Sequence, residues 1–535
     1  MVLALTAVVL LASCTGGDGD DTARPVPGAR TGGTLTVGIG RPASIDPLDA
    51  YEPSGLLVAR TMCDTLVELD PRTHRLRPGL AASWNVLDGG RQVSFRLRGS
   101  ARFSDGSKVT AADVAFSLTR AASPSFAGRQ AALLSAVSGW DDLQDEVGAP
   151  GKRSRLRLGG VRVVGAGAVE IAFSRPVGDA VALFTHPVTA PVSRAATERD
   201  PDGAGRRPVC AGPYRLTRAW SPADGTITLQ RVNGYRGRPV YADRIEFRIG
   251  ARSADVVVPT DVTATPAPGA TRVSGPGPGV EYLALPTGTA SPYRDRRVRR
   301  ALDLATDRAV LVERTTPGRR APARGFLPAT IDGRACPEEV AAAADPEQAR
   351  RLLRAAGIEP SGLPVRITVN DDGPNRAVAD ELARQWHDHL GLAVTVEVVA
   401  FDDLLARATG AAGIDGPVRV SWAAPYASAD AHLAPLFAGG ATTEANLGRW
   451  DDPEWDRLLD EDARTATDET DRVALYRRLA LRLCDRLPSL PLTTSLAIAD
   501  VRPDRVASTT GEWLDPLTGT PDLRRIWVRG GGSSP

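Results

Sequence analysis

The chain has 535 residues, 42% of them hydrophobic, enough to bury two or three cores at the usual domain size of roughly 100–200 residues. Its 65 basic and 64 acidic residues leave a net charge of +1, with no long block of like charge; the densest basic run is Lys152 to Arg157. This balance argues against a nucleic-acid partner.

The chain opens with an apolar run, Val2 to Ala12. It is too short to span a bilayer, which takes about 20 residues, but has the length of a signal-peptide core. It ends in Leu11-Ala12-Ser13-Cys14, which resembles a lipobox, in which Cys14 would be acylated and become the mature N-terminus. Residues 1–14 are thus read as a lipoprotein signal peptide, against a chance cysteine behind an apolar start. Residues 15–32, rich in Gly, Asp, Pro and Thr, read as a flexible tether. Gly33 to Gly38 alternates as a short strand, and Ile45-Asp46-Pro47 opens a loop carrying Tyr51, Glu52 and Ser54. Leu56 to Leu69 reads as a helix before Asp70-Pro71 turns the chain.

Signals are densest from Leu76 to Ala121. Val93, Phe95 and Leu97 alternate with Ser94, Arg96 and Arg98, the period of a strand with one buried face. Asp88-Gly89-Gly90 supplies the turn before it, so a hairpin is predicted. Thr110-Ala111-Ala112-Asp113 has the form of a capping box ahead of Val114 and Leu118, which predicts a helix. The succession Pro78-Gly79-Leu80-Ala81-Ala82-Ser83-Trp84, strand, Phe103-Ser104-Asp105-Gly106, and Thr110-Ala111-Ala112-Asp113-Val114-Ala115-Phe116-Ser117 resembles the bacterial extracellular solute-binding proteins of family 5, the peptide-binding proteins of ABC importers.

That resemblance implies an α/β, two-lobed periplasmic-binding-protein-like fold of type II, of the large cluster with an extra subdomain in lobe one. The boundaries expected are 33–69 and 189–280 for lobe one, 70–188 for its subdomain, 281–493 for lobe two, and 494–535 for a return to lobe one and a tail. In the family the loop after Asp46-Pro47 reaches the ligand cleft, which would place Tyr51, Glu52 and Ser54 there; the alternative is that they decorate a surface loop.

Ser123 to Arg155 reads as a helix plus loop insertion, and Gly165-Ala166-Gly167 as the turn of a second hairpin, Val161–Val163 with Val169–Phe173. No G-x-G-x-x-G or G-K-[ST] follows those glycines, so they are not read as a nucleotide loop. Gly212-Pro213-Tyr214 and Asn233-Gly234-Tyr235 again resemble the family, and Ile245 to Ile249 is a third strand. Ser253 to Gly279, rich in Pro, Thr and Gly, departs from the family pattern and reads as an irregular loop; Tyr282 to Leu285 should then cross into lobe two.

Arg297 to Arg308 resembles a family helix. Asp345-Pro346-Glu347-Gln348 caps another, with Ala349, Leu352, Leu353 and Ala356 on one face and Gly357 at its end. Val365–Val369, Asn375–Leu390 and Leu392–Val399 form a β-α-β unit, so lobe two is α/β. Asp471 to Cys484 is a helix with Val473, Tyr476, Ala480 and Leu483 on one face, and the last strands are Ile498–Val506 and Ile526–Val528.

Val418 to Tyr426 leaves a strand for a loop, where aromatic and charged residues commonly face a ligand. Arg419, Trp422, Tyr426 and the neighbouring Tyr282 are candidates on this ground. The resemblance implies that this loop offers an aspartate to a peptide's α-amino group. Counting from Trp422, that position is Pro425, and Asp430 lies further on, so the amine anchor is displaced or absent. Arg419 would face a carboxylate, or else be a solvated strand-end arginine. With Cys14 lipidated, Cys63, Cys210, Cys336 and Cys484 allow three connectivities; the lobe division favours Cys63 with Cys210 and Cys336 with Cys484.

Of His74, His186, His387, His389 and His432, only His387 and His389 are close, and i, i+2 spacing on a helix separates their faces, so no metal site is expected. H-E-x-x-H and G-x-S-x-G are absent. The chain reads as a binder without catalytic residues or cofactor: a monomeric lipoprotein, held on the extracytoplasmic side of the cell membrane by its lipid anchor. It would close over a peptide or other small solute, sugars included, and deliver it to ABC permease subunits. The alternative is a surface sensor or adhesion lipoprotein that keeps the fold.

Overall fold

The computed structural model describes residues 28–530, apart from 71–72, 74, 125, 127, 146–156, 261–263, 289–290, 332–335, 337–343, 411–412, 440–444, 509–512 and 516–517. Cys14, the apolar start, most of the tether and His74 lie outside the described residues.

Strand β1 (Thr34–Ile39) buries Leu35, Val37 and Ile39 in the first core. Helix α1 (Pro53–Met62) starts at Glu52, whose carboxylate accepts from the Gly55 amide, with Pro53 at the first position, where no donor is needed. It stops at Met62, short of the Leu69 expected from sequence. The β-branched Val67 goes instead into a strand pair, β2 (Val67–Leu69) with β3 (Leu76–Pro78).

The predicted hairpin is β4 (Ala81–Leu87) with β5 (Gln92–Leu97), turning through Asp88, Gly89 and Gly90 at φ of 50°, 55° and 81°. Helix α2 (Ala111–Ala122) has its capping box: the Asp113 amide donates to Thr110 Oγ1, and the Thr110 amide donates to Asp113 Oδ2. After α3 (Trp140–Asp145), β6 (Val161–Val164) and β7 (Ala168–Ala172) complete a four-stranded sheet in the order β4-β5-β7-β6. Helix α4 (Arg194–Arg199) leads to β8 (Tyr214–Leu216), β9 (Thr226–Arg231) and β10 (Arg244–Ile249), which rejoin β1.

The segment expected to be an irregular loop contains β11 (Val256–Val257) and more than half of β12 (Thr271–Ala284), a strand of 14 residues. The run Gly275-Pro276-Gly277-Pro278-Gly279 concealed it, because prolines and glycines weaken a strand reading. Here the run meets a register shift between Pro276 and Val280. Pro278 therefore falls where the ladder is already interrupted, and its missing N–H costs no strand pairing.

The first helices of the second lobe are α5 (Arg296–Leu304) and α6 (Arg308–Thr315), two helices where the sequence showed one. The Asp307 carboxylate ends the continuity by accepting from the Val310 amide. After β13 (Arg320–Pro322), helix α7 (Pro346–Ala355) is capped by Asp345 on the Gln348 amide at 2.9 Å. Strand β14 (Val365–Asn370), helix α8 (Asn375–Leu390), closed by Gly391 at φ 74°, and strand β15 (Val394–Val399) follow, the two strands parallel. Then come α9 (Phe401–Thr409), β16 (Val418–Ala423), α10 (Ala429–Phe437), α11 (Pro453–Arg457) and α12 (Glu469–Arg486). On α12, Tyr476, Leu479, Ala480 and Leu483 are buried, whereas Val473 is exposed because the buried stripe centres on Leu479.

Strand β17 (Ser489–Val501) starts well before the expected Ile498 and takes in Pro491, opposite Tyr282 beside a second register shift. Strands β18 (Val506–Ser508) and β19 (Ile526–Val528) then pair in a ribbon. One sheet runs through the molecule in the order β15-β14-β16-β12-β17-β11-β1-β10-β9-β8, with β13 against β17.

Two cores flank this sheet. Strands β12 and β17 serve both: Val273, Ala499 and Val501 pack in the first, and Tyr282 to Ala284, Leu490 and Leu492 in the second. Cys63 and Cys210 are bonded within the first core, with Cα atoms 4.9 Å apart; Cys336 and Cys484 are bonded within the second, at 5.7 Å.

The C-terminal return is fastened by charge. Arg524 reaches Asp64 at 3.0 Å, the Tyr235 hydroxyl donates to the other Asp64 oxygen at 2.7 Å, and Arg77 pairs with Glu68. Burial, helped by the Glu68 charge, pushes Asp64 up to about 7 against the pull of Arg524.

The two disulfides close loops with sequence separations of 147 and 148, each contributing about 5 kcal/mol in the chain-entropy picture. Scanning calorimetry of Cys336→Ser/Cys484→Ser should show loss of several degrees of thermal stability; an unchanged melting profile would contradict this. A carboxyl whose folded pKa is raised contributes stability below its unfolded value, and that contribution is lost as pH rises through about 7. Asp64→Asn should therefore gain on the parent in melting temperature between pH 5.5 and 8. A difference constant across that range rules the coupling out.

Candidate functional site

Strand β16 lies beside β12, and its end delivers the chain to the segment between the lobes. Ser421 and Ala423 are exposed, Trp422 is half-buried, and the Trp422 indole N–H donates to the Ala431 carbonyl at 3.2 Å. Tyr282, next to Val420 across the strand pair, is buried against Phe437 of α10, ring centroids 6.3 Å apart. Burial raises its hydroxyl pKa, and the oxygen makes no hydrogen bond. Tyr282 is thus a core residue of the second lobe, drawn in by the apolar underside of α10.

Arg419 faces a carboxylate that belongs to the protein itself. It pairs with the fully buried Glu281 of β12, which also meets Arg320 of β13 at 3.1 Å and accepts from the Thr493 hydroxyl of β17 at 2.6 Å. Two guanidiniums share one anion, and desolvation pulls both arginines down to about 10. The cluster is positioned by register: Glu281 lies opposite Ser421 and Thr493, and Thr493 opposite Pro322.

Asp430 is likewise engaged. Arg464 donates to it at 2.8 Å and the Tyr476 hydroxyl at 2.9 Å, so its carboxylate is already charge-balanced inside the second lobe. Pro425 holds the loop before it and offers no acceptor side chain.

The lobes touch along Tyr426 to Ser428. Tyr426 comes from the second lobe and packs on the first core, where burial raises its hydroxyl pKa. Asp179, after β7, accepts from Ser428 Oγ at 2.7 Å and from Arg472 Nε at 2.8 Å. Burial pushes Asp179 up, Arg472 notwithstanding. Gly178 permits this approach, since a Cβ there would lie 1.9 Å from the Tyr476 hydroxyl oxygen. His432 of α10 adds a tie: its Nε2 lies 3.1 Å from the Pro278 carbonyl in the β12 bulge, and burial lowers the ring to about 3, so it is neutral.

The first-lobe candidates lie apart from this seam's charge pairs. Tyr51 is exposed under the Arg129 guanidinium, 5.1 Å from its ring centroid. Glu52 is spent on capping α1 and on the Ala43 amide at 3.0 Å, and Ser54 is buried. Sequence reasoning missed Asp179, Arg464 and Arg472, which stand singly in distant segments. Glu281 and Arg320 were missed too, although a glutamate inside the apolar run Val280 to Leu285 was a readable signal. Among the described residues, no group of three or more His, Cys, Asp and Glu could hold a metal ion, and no helix is long and apolar enough to cross a membrane.

Known proteins share this architecture. The family model for bacterial extracellular solute-binding proteins, family 5, matches residues 75–444. The glutathione-binding protein GsiB of Escherichia coli K12 is 25% identical over 502 residues, covering 89% of this chain and 91% of its own. The probable deoxycholate-binding periplasmic protein YgiS of the same organism is 25% identical over 480 residues, covering 84% and 86%. The murein tripeptide binding protein MppA, in its unliganded open form, superposes with a TM-score of 0.77 at 22% identity, covering 94% of this chain and 98% of that one. With two cores bridged by the same pair of strands and a family match over most of its length, the chain belongs to the bacterial extracellular solute-binding proteins of family 5.

Proposed function

We propose that the protein captures a peptide or a similar small solute between its lobes and passes it to the permease subunits of an ABC importer. A lipid on Cys14 would hold it at the extracytoplasmic face of the cell membrane. The carrying observation is mechanical: two separately cored lobes are joined by β12 and β17, with the exposed strand end of Ser421 and Ala423 beside the seam. A solute that touches both lobes favours their approach by its differential affinity for the closed arrangement; one that touches a single lobe shifts nothing. Binding without turnover is the expected chemistry.

Relatives support a peptide-like class. GsiB is named for glutathione, MppA for murein tripeptide, and an OppA structure from Haemophilus influenzae holds the peptide RPPGFSPFR. YgiS, named for deoxycholate, keeps non-peptide solutes in view. The charges near Trp422 narrow the class further. Asp430 is held by Arg464 and Tyr476, Asp179 by Ser428 and Arg472, and Pro425 has no side-chain acceptor. A peptide ammonium buried there without a carboxylate would bear its full desolvation cost. The solute is therefore held without an ammonium–carboxylate pair at position 425.

Mass spectrometry of what co-purifies with the protein identifies the solute, and calorimetry tests the anchor. In Pro425→Asp, free-amine peptides should gain at least tenfold over their N-acetylated counterparts, about 1.4 kcal/mol. Equal affinities for the two forms, before and after the substitution, would remove the anchor argument.

A further inference from the structure

The first lobe contains a cavity of ≈ 220 Å³, set between β3, the loop from Ser100 to Gly106 and the turn from Val232 to Arg238. No residue between Trp422 and Asp430 lines it, so it is separate from the interlobe seam. Its lining carries Arg77, Arg98, Arg102, Arg236 and Arg238 against two carboxylates, Asp64 and Glu68.

Those carboxylates are already matched. Asp64 holds Arg524 and Tyr235, and Glu68 pairs with Arg77. Arg238 lies 3.7 Å from Asp70. The other three guanidiniums have no carboxylate partner among the described residues. Arg98 donates to the Gly79 carbonyl at 2.7 Å, Arg102 to the carbonyls of Gly99 and Ala101 at 3.1 and 3.0 Å, and Arg236 is exposed. The buried Arg77 Nε–H in the wall also lacks an acceptor. The rest of the lining is partly apolar, with Leu80, Ala101 and Phe103 buried in the lobe-one core. An excess of guanidinium donors suits a carboxylate or phosphate, which accepts two parallel N–H bonds. An apolar wall beside them suits a hydrocarbon or ring.

We propose that this cavity is a second ligand site, independent of the interlobe cleft, for a small organic anion: one carboxylate or phosphate group on an apolar body. Its head meets Arg98, Arg102 and Arg236, and its body lies against Leu80 and Phe103. The site adjoins the Asp64–Arg524 contact, so occupation stabilises the C-terminal return without requiring the lobes to close.

The test is titration calorimetry of the full chain with phenyl phosphate and with benzoate, with phenol and inorganic phosphate as controls. One or both organic anions should bind 1:1, and whichever is tighter identifies the head group. Arg102→Ala/Arg236→Ala, both surface positions, should weaken that binding at least tenfold while leaving the melting temperature of the free protein unchanged. Hydrogen exchange on the parent protein, which needs no variant, should show protection by the bound anion within 98–106 and 232–238. The proposal is overturned if neither anion binds, if phenol binds equally well, if inorganic phosphate alone matches phenyl phosphate, or if protection appears at 421–428 instead.

Discussion

Everything in this molecule depends on the pairing of β12 with β17, and that pairing carries a buried charge at its second-lobe end. Glu281 sits among Arg419, Arg320 and Thr493, one anion between two desolvated guanidiniums. Taking away the partner of a buried charge usually costs 3–5 kcal/mol, so this cluster ties β12, β13, β16 and β17 into one register. Just before it lies the bulge at Pro276 to Val280, and just after Glu281 a second register shift. The ladder is thus interrupted on both sides of Glu281, and the charge cluster holds the strands together between the two shifts. His432 reaches the same bulge from α10, linking it to the strand end that carries Trp422.

Three charged groups near the seam are matched within the protein. Asp179 meets Arg472 and Ser428, Asp430 meets Arg464 and Tyr476, and Arg419 meets Glu281. Paired groups have little to offer a charged guest, because a new partner must displace an old one. On the proposed reading, the exposed residues Ser421 and Ala423, the half-buried Trp422 and the loop around Pro425 are what is left for recognition. Such surfaces hold a guest by main-chain hydrogen bonds and contact area, which tolerates varied side chains.

Much of the architecture was legible because it is written locally. The capping box at Thr110 and Asp113, the turn at Asp88 to Gly90, the Asp345 cap and the Gly391 stop each depend on a few neighbouring residues. What escaped notice depends on distant partners. The Gly-Pro run of β12 looks like a loop until β17 is beside it, and Pro491 looks like a strand end until it falls next to a register shift. Val67 joins β2 because Pro78 waits across the pair. The candidate site was legible only as a place. The strand end at Trp422 was readable from the shift in pattern, but whether Arg419 or Asp430 is available depends on Glu281, Arg464 and Tyr476, which no spacing rule connects to them.

The central claim is that two lobes move about the interrupted β12–β17 ladder when a solute bridges them. Spin labels at two exposed positions, Val164→Cys in the first lobe and Phe401→Cys in the second, report the separation directly by pulsed electron resonance. Titration with glutathione and with tri- to nonapeptides should shorten and narrow the distance distribution for the solutes that calorimetry shows to bind. A distribution unchanged by a solute bound tightly at the seam would contradict the account.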